Sequence, residues 1–115
     1  MSSLRHQSRE LSLPEDPSAT MRIVVVADSH SQPHPQALSL IEQLAPDAIL
    51  HAGDIGRLAF LDELGGLAPT IAVRGNVDSR ASVLYDIITV DLVEARESRL
   101  RLLLTHIAVA RAQLR

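Results

Sequence analysis

Four apolar runs in this chain each end in residues that can bind a metal ion. The runs and their ends are VVVADSH at 24–30, ILHAGD at 49–54, IAVRGN at 71–76 and LLLTH at 102–106. Short runs rich in Val, Ile and Leu are typical of buried strands, and α/β sheets bind ligands just beyond the carboxyl ends of their strands. We therefore expect the four strand ends to converge on one site.

The donor types at these ends indicate which metals the site would hold. Asp28, His30, Asp54, Asn76 and His106 combine oxygen and imidazole donors. This mixture suits Mn²⁺, iron, Zn²⁺ or Ni²⁺ better than Ca²⁺ or an iron–sulfur cluster. Thiolate ligation is excluded, because the sequence contains no cysteine.

The elements that position these residues can be predicted from the apolar pattern. Helices are expected where apolar residues recur at helical spacing, over 36–44 before Pro46 and over 58–64 before Gly65 and Gly66. The predicted strands are 22–27, 48–51, 70–73 and 100–105. The order is a parallel βαβαβ unit followed by a carboxyl-terminal β-hairpin, which predicts the α/β fold class with a mainly parallel sheet and flanking helices.

Composition limits the domain organisation. Residues 1–20 are polar and interrupted by Pro14 and Pro17, which predicts a disordered tail before a single domain at 21–115. The net charge of −3 without a basic cluster gives no strong nucleic-acid signature. No apolar stretch is long enough to span a membrane and no signal peptide is evident, so a cytoplasmic protein is expected.

The basic residues exclude several competing phosphate-binding folds. All 11 are arginine, whereas a P-loop and a receiver domain each need a lysine. A dinucleotide-binding fingerprint is also excluded, because the GDIG segment at 53–56 has the wrong glycine spacing and Asp54 would repel a pyrophosphate.

The order Asp-x-His, Gly-Asp, Gly-Asn-x-Asp and Thr-His over about residues 21–106 resembles the calcineurin-like metallophosphoesterases, in particular their small bacterial and archaeal phosphodiesterase branch. The resemblance implies an α/β sandwich, a phosphate-ester substrate and two divalent metal ions, with Mn²⁺ first and Fe, Zn, Ni or Mg as alternatives. Asp28 and His30 would hold the first ion, Asp54 would bridge both, and Asn76 and His106 would hold the second. A hydroxide bridging the two ions would attack phosphorus.

Further polar residues near the strand ends have two interpretations each. Arg74, predicted with Asp54 and Asn76 to be catalytic, could neutralise the substrate phosphate or pair with Asp78. His51 could support the metal site or be a polar residue of the core. Val77 stands where relatives carry a histidine that protonates the leaving group, so general-acid catalysis from this loop is not expected.

The sequence departs from the family pattern at its carboxyl end. The Gly-His-x-His segment of the family is not found, and Ile107 replaces the glycine expected after His106. A truncated, partial domain is therefore expected, with activity weakened or lost and an open sheet edge after Leu104 that would favour a homo-oligomer. The alternative function is a non-catalytic binding or scaffold module with the same fold.

Overall fold

A computed structural model describes residues 5–16, 18–29, 35–75 and 84–106 of the chain. The described residues form six strands and two helices. In chain order these are β1 (His6–Ser12), β2 (Ile23–Val26), α1 (Ala37–Leu44), β3 (Ala48–His51), α2 (Ala59–Gly65), β4 (Thr70–Ala72), β5 (Ile87–Glu94) and β6 (Glu97–Thr105).

The first sheet is parallel and has the order β2-β3-β4. Val26 pairs with His51, and His51 pairs with Ala72, so the three strands end at the same level. Side chains alternate between the two faces of a strand. Ile49 accordingly packs in a cluster with Ile41 of α1 and residues of α2, whereas Leu50 packs in a second cluster. The polar residues beyond β2 and β3 are thereby brought to one edge.

The second sheet has the order β1-β5-β6, with β5 and β6 antiparallel and β1 parallel to β5. Its inward residues, among them Ile88, Val90 and Leu104, share one buried cluster with Leu50 and Ile71 of the first sheet. An isolated parallel bridge between Val73 and Tyr85 also links the sheets. His106 directly follows β6, so this sheet places one candidate ligand.

The predicted α/β fold class, both helices and the hairpin are confirmed. The strand predicted at 100–105 lies in the second sheet, since it pairs with β5 and not with the parallel strands. The prediction of disorder over residues 1–20 is wrong for His6–Ser12, which form β1. Backbone pairing needs no apolar side chains, and Leu11 and Leu13 add packing against the second cluster. Among the described residues, no helix has the length and apolarity needed to cross a bilayer.

Candidate metal centre

The loops after β2 and β3 are joined by backbone hydrogen bonds. The Ala52 N–H donates to the Val26 carbonyl at 2.8 Å, and the Asp28 N–H donates to the Gly53 carbonyl at 3.0 Å. Asp28 and Asp54 both have left-handed backbone conformations, with φ of 54° and 57°. Aspartate tolerates this region better than most residues with a side chain, because its short polar group forms local hydrogen bonds. The two loops therefore turn sharply side by side.

Three side chains at this edge form a group that could hold a cation. Ligand atoms of Asp28, Asp54 and His106 all lie within 4.8 Å of one another. Asp54 is buried, His106 is half-buried and Asp28 is exposed. The group is consequently anchored on the protein side and open on the Asp28 side, as a site that admits both an ion and a substrate must be.

The His106 ring is oriented as metal-binding histidines usually are. Its Nδ1 lies 2.8 Å from the Ala52 carbonyl oxygen, which can only accept, so Nδ1–H is the donor. Its Nε2 faces the Asp54 Oδ2 at 3.2 Å. A backbone carbonyl that fixes the imidazole in this way leaves Nε2 as the atom available to an ion.

The spacing of one donor pair, His106 and Asp54, fits a shared divalent ion. Two ligand atoms each about 2.1 Å from one ion, at right or tetrahedral angles, are separated by about 3.0 to 3.4 Å. The separation of 3.2 Å between His106 Nε2 and Asp54 Oδ2 lies in this range. Two carboxylates and one imidazole also match the preferences of Mn²⁺, Fe²⁺ and Zn²⁺.

Two glycines allow the backbone to approach the ligands closely. A Cβ added to Gly53 would lie 2.7 Å from the His106 Cβ, and one added to Gly75 would lie 2.9 Å from the Asp54 Cα and closer still to its backbone nitrogen and Oδ1. Gly53 also has a φ of 101°, which disfavours a side chain. Both positions require glycine for Asp54 and His106 to occupy their observed places.

His51 lies beneath the site and joins the two aspartate loops. Its Nδ1 accepts the Gly53 N–H at 3.0 Å, and its Nε2 lies 2.9 Å from Ser29 Oγ. Ser29 donates its own hydroxyl proton to the Ile55 carbonyl at 3.0 Å, so His51 Nε2 is the donor to Ser29. His51 is fully buried. Its side chain is therefore a polar residue of the core that also braces the loops carrying Asp28 and Asp54, so it fits both interpretations that the sequence left open.

Arg74 is held by a carboxylate that the sequence did not point to. Its Nε and Nη2 donate to Oδ1 and Oδ2 of Asp86, both at 3.0 Å, and Asp86 Oδ2 also accepts the Arg5 N–H at 2.8 Å. Burial by itself raises the pKa of Asp86, but these hydrogen bonds and the Arg74 and Arg5 charges outweigh it, so the pKa lies below its ordinary value. Asp86 is thus an ionised partner of Arg74.

Of the five predicted metal ligands, the structure brings together Asp28, Asp54 and His106. His30 and Asn76 lie outside the described residues, as does Asp78, the partner predicted for Arg74. The carbonyl of Ala52 and the carboxylate of Asp86 were not identified from the sequence. Neither position carries a sequence signal, because a backbone acceptor has no residue type and Asp86 precedes a strand that was not assigned to the site.

A group that could hold a metal ion lies at the carboxyl edge of the parallel sheet, and both strand-end loops turn at aspartates, an arrangement typical of α/β domains that bind ligands at their strand ends. Residues 21–115 match the family model described as the calcineurin-like phosphoesterase superfamily domain, and the chain belongs to this superfamily. Searches among curated proteins and among solved structures find no match. The membership supports a metallophosphoesterase-type function at the family level, with divalent metal as cofactor and a phosphate ester as substrate.

Proposed function

We propose that this protein is a metal-dependent hydrolase of phosphodiesters or phosphomonoesters. The observation that carries the proposal is the grouping of Asp28, Asp54 and His106 donors within 4.8 Å at the carboxyl edge of the first sheet. Two divalent ions, Mn²⁺ first, would supply Lewis acidity toward the phosphate and a hydroxide nucleophile at neutral pH. The protein's own task is to place the ligands and leave one side open.

Asp54 is proposed as the residue shared by both ions. It is buried, its Oδ2 faces His106, and Gly75 packs against its backbone, so its carboxylate is the most firmly positioned of the three. Asp28, which is exposed, would hold the first ion with His30, and Asn76 would join His106 on the second. This assignment keeps the bridging carboxylate on the buried side and leaves the exposed side, next to Asp28, for the substrate.

Arg74 is proposed to contribute mainly by holding the loop that leads to Asn76. Its guanidinium is paired through two atoms with Asp86, and both side chains are largely shielded, with exposed fractions of 19% and 22%. A substrate phosphate would compete with this carboxylate for the same planar group. Direct contact between Arg74 and the phosphate is therefore the weaker of its two proposed roles.

A non-catalytic binding module is the second candidate function, and one observation favours it. β6 is the outer strand of the second sheet as described, and Leu100 and Leu103 on it are 53% and 60% exposed. Exposed apolar side chains on an outer strand favour association with another strand. A protein that associates with a second copy of itself through β6 could act as a scaffold without hydrolysing any ester.

The two functions can be separated with purified protein reconstituted with Mn²⁺. Metal content is measured by elemental analysis, and hydrolysis is followed with bis(p-nitrophenyl) phosphate and p-nitrophenyl phosphate. We expect weak Mn²⁺-dependent hydrolysis that is lost in Asp54→Asn and kept in Asp62→Asn, which changes an exposed carboxylate of α2. Bound Mn²⁺ without hydrolysis of either ester would refute the enzyme and favour the binding module.

A further inference from the structure

The strand β1 lies outside the family domain but is built into the fold. The family match begins at residue 21. β1 nevertheless pairs in parallel with β5 over seven consecutive residues, from His6 with Ile87 to Ser12 with Val93. The Leu13 N–H extends this pairing to the Val93 carbonyl at 2.8 Å, and Leu11 and Leu13 pack against the buried cluster of the second sheet.

Arg5, just before β1, contacts the segment that leads into β5. Its carbonyl accepts the Asp86 N–H at 2.8 Å, and its Nη1 donates to the Leu84 carbonyl at 3.0 Å. Its guanidinium carbon lies 4.6 Å from the centre of the Tyr85 ring, which is cation–π geometry. Backbone and side chain of Arg5 together fix residues 84–86.

The segment fixed by Arg5 in turn contacts the loop at the metal centre. Asp86 binds the Arg74 guanidinium through both oxygens, and the Tyr85 carbonyl accepts the Arg74 N–H at 2.8 Å. Arg74 is followed by Gly75, whose backbone lies against the nitrogen and Oδ1 of Asp54. A continuous series of contacts therefore joins Arg5 to Asp54 through Asp86, Arg74 and Gly75.

We propose that Arg5, upstream of the family domain, is a positioning residue that holds residues 84–86 and thereby the Arg74–Gly75 loop against the metal ligand Asp54. Arg5 is half-buried, Arg74 and Asp86 are largely shielded, and Asp54 is buried, so a shift at residues 84–86 would be transmitted to Gly75, which has no space for even a Cβ beside Asp54. The effect of Arg5 on metal affinity rests on the proposed function, whereas its effect on the position of the Arg74–Gly75 loop is independent of that function.

The effect of Arg5 on the Arg74–Gly75 loop is tested first. The rate of backbone hydrogen exchange is measured by mass spectrometry in metal-free full-length protein. In the wild type we expect the peptide covering β1 to be protected like that covering β5. In Arg5→Ala we expect exchange of peptides covering 73–75 and 84–87 to be at least about 3-fold faster. Arg9→Ala is the matched control, because it removes the same side-chain type from an exposed position of β1. Equal exchange at 73–75 in the two variants would overturn the proposal.

A local reporter is available in the same variants. The sequence has one tyrosine and no tryptophan, so the ultraviolet fluorescence of the protein reports on Tyr85 beneath Arg5. We expect the emission to change in Arg5→Ala and to stay constant in Arg9→Ala. Unchanged emission in Arg5→Ala would contradict the contact on which the proposal depends.

Metal affinity is then measured by titration with Mn²⁺, followed by electron paramagnetic resonance. We expect Arg5→Ala to weaken Mn²⁺ binding about 3- to 10-fold, and Arg5→Lys to restore most of it because lysine keeps a cation over Tyr85. If the wild type binds no Mn²⁺, the proposed function fails while the exchange result still decides on Arg5. If Mn²⁺ binds equally to the wild type and Arg5→Ala, the proposed transmission to Asp54 is wrong.

Discussion

Nε2 of His106 lies 3.2 Å from Oδ2 of Asp54, and these two residues follow strands of different sheets. Asp54 belongs to the loop after β3 in the parallel sheet, whereas His106 directly follows β6 in the second sheet. An ion held by both would join the two sheets at their edge. Ligand binding at this place is therefore coupled to the packing of the whole domain.

Mn²⁺ should raise the thermal stability of the protein. An ion that binds the folded chain and not the unfolded one adds about 2.7 kcal/mol at a concentration 100 times its dissociation constant. For a domain of this size, each 1 kcal/mol corresponds to about 4 to 8 °C, so we expect the melting temperature to rise by about 10 °C or more. Circular dichroism melts with Mn²⁺ and with EDTA measure the difference. Coincident melts at millimolar Mn²⁺ would show that the group binds no ion.

Asp54→Asn should reduce Mn²⁺ binding more than Asp28→Asn. Asp54 is buried and faces His106, whereas Asp28 is exposed and water can take its place on an ion. We expect losses in affinity of about 10- to 100-fold for Asp54→Asn and smaller losses for Asp28→Asn. Asparagine tolerates the left-handed backbone at both positions, so the two variants are matched. Equal Mn²⁺ contents by elemental analysis would contradict a shared role for Asp54.

Gly75→Ala should damage the metal centre although it adds a single methyl group. The added carbon would overlap the backbone of Asp54, and relieving that overlap is expected to cost about 1 to 3 kcal/mol of stability and to displace the carboxylate. Gly65→Ala is the control, since no atom lies within 4 Å of its added Cβ at the end of α2. It should leave Mn²⁺ binding unchanged and stabilise the fold by about 0.4 to 1 kcal/mol. The stability and Mn²⁺ affinity of Gly75→Ala and Gly65→Ala are compared by urea unfolding and Mn²⁺ titration. Equal Mn²⁺ affinities would refute the close contact between Gly75 and Asp54.

Asp86→Asn should destabilise the protein in a manner that depends on pH. The pKa of Asp86 is lowered from 3.8, so its ionised form contributes stability that is fully present above that value and lost as the pH falls through the folded-state pKa. We expect a loss of about 1 to 3 kcal/mol at pH 7 and a smaller difference from the wild type near pH 3. Urea unfolding at both pH values measures the difference in the free energy of unfolding between Asp86→Asn and the wild type. Asp62→Asn, which changes an exposed carboxylate, is the control. A difference in stability that is as large near pH 3 as at pH 7 would show that Asp86 does not stabilise the protein through its charge.

The sequence was sufficient to predict the parallel strands, the helices and the meeting of Asp28, Asp54 and His106 at one edge. Val24–Val26 and Ile49–Leu50 are apolar enough to identify strands, although only β3 is buried throughout and Val25 of β2 is exposed, and the parallel order brings Asp28 and Asp54 to one edge. His106 was also predicted there, because its run ends in the same manner. These predictions succeed where a run of apolar residues marks a strand and a polar residue directly follows it.

Other parts of the structure depend on contacts that leave no mark on the local sequence. β1 is polar in six of its seven residues, so its pairing with β5 follows from backbone hydrogen bonds and not from an apolar pattern. The sequence offered Asp78 as a partner of Arg74 and did not point to Asp86, because only the fold brings residues 74 and 86 together. The close approach of Gly75 to Asp54 was likewise not predictable, since it is set by the loops of two different strands.

The left-handed backbone at Asp28 and Asp54 also constrains how this sequence can drift over evolution. Residues other than glycine, asparagine and aspartate are strained in this conformation whether or not an ion is bound. A lineage that gave up metal chemistry would therefore first accept asparagine or glycine at these two positions, not alanine. Aspartate at both positions suits the left-handed backbone and can also bind an ion. Selection for the backbone conformation alone would therefore keep two metal ligands in place, and metal binding could later be regained.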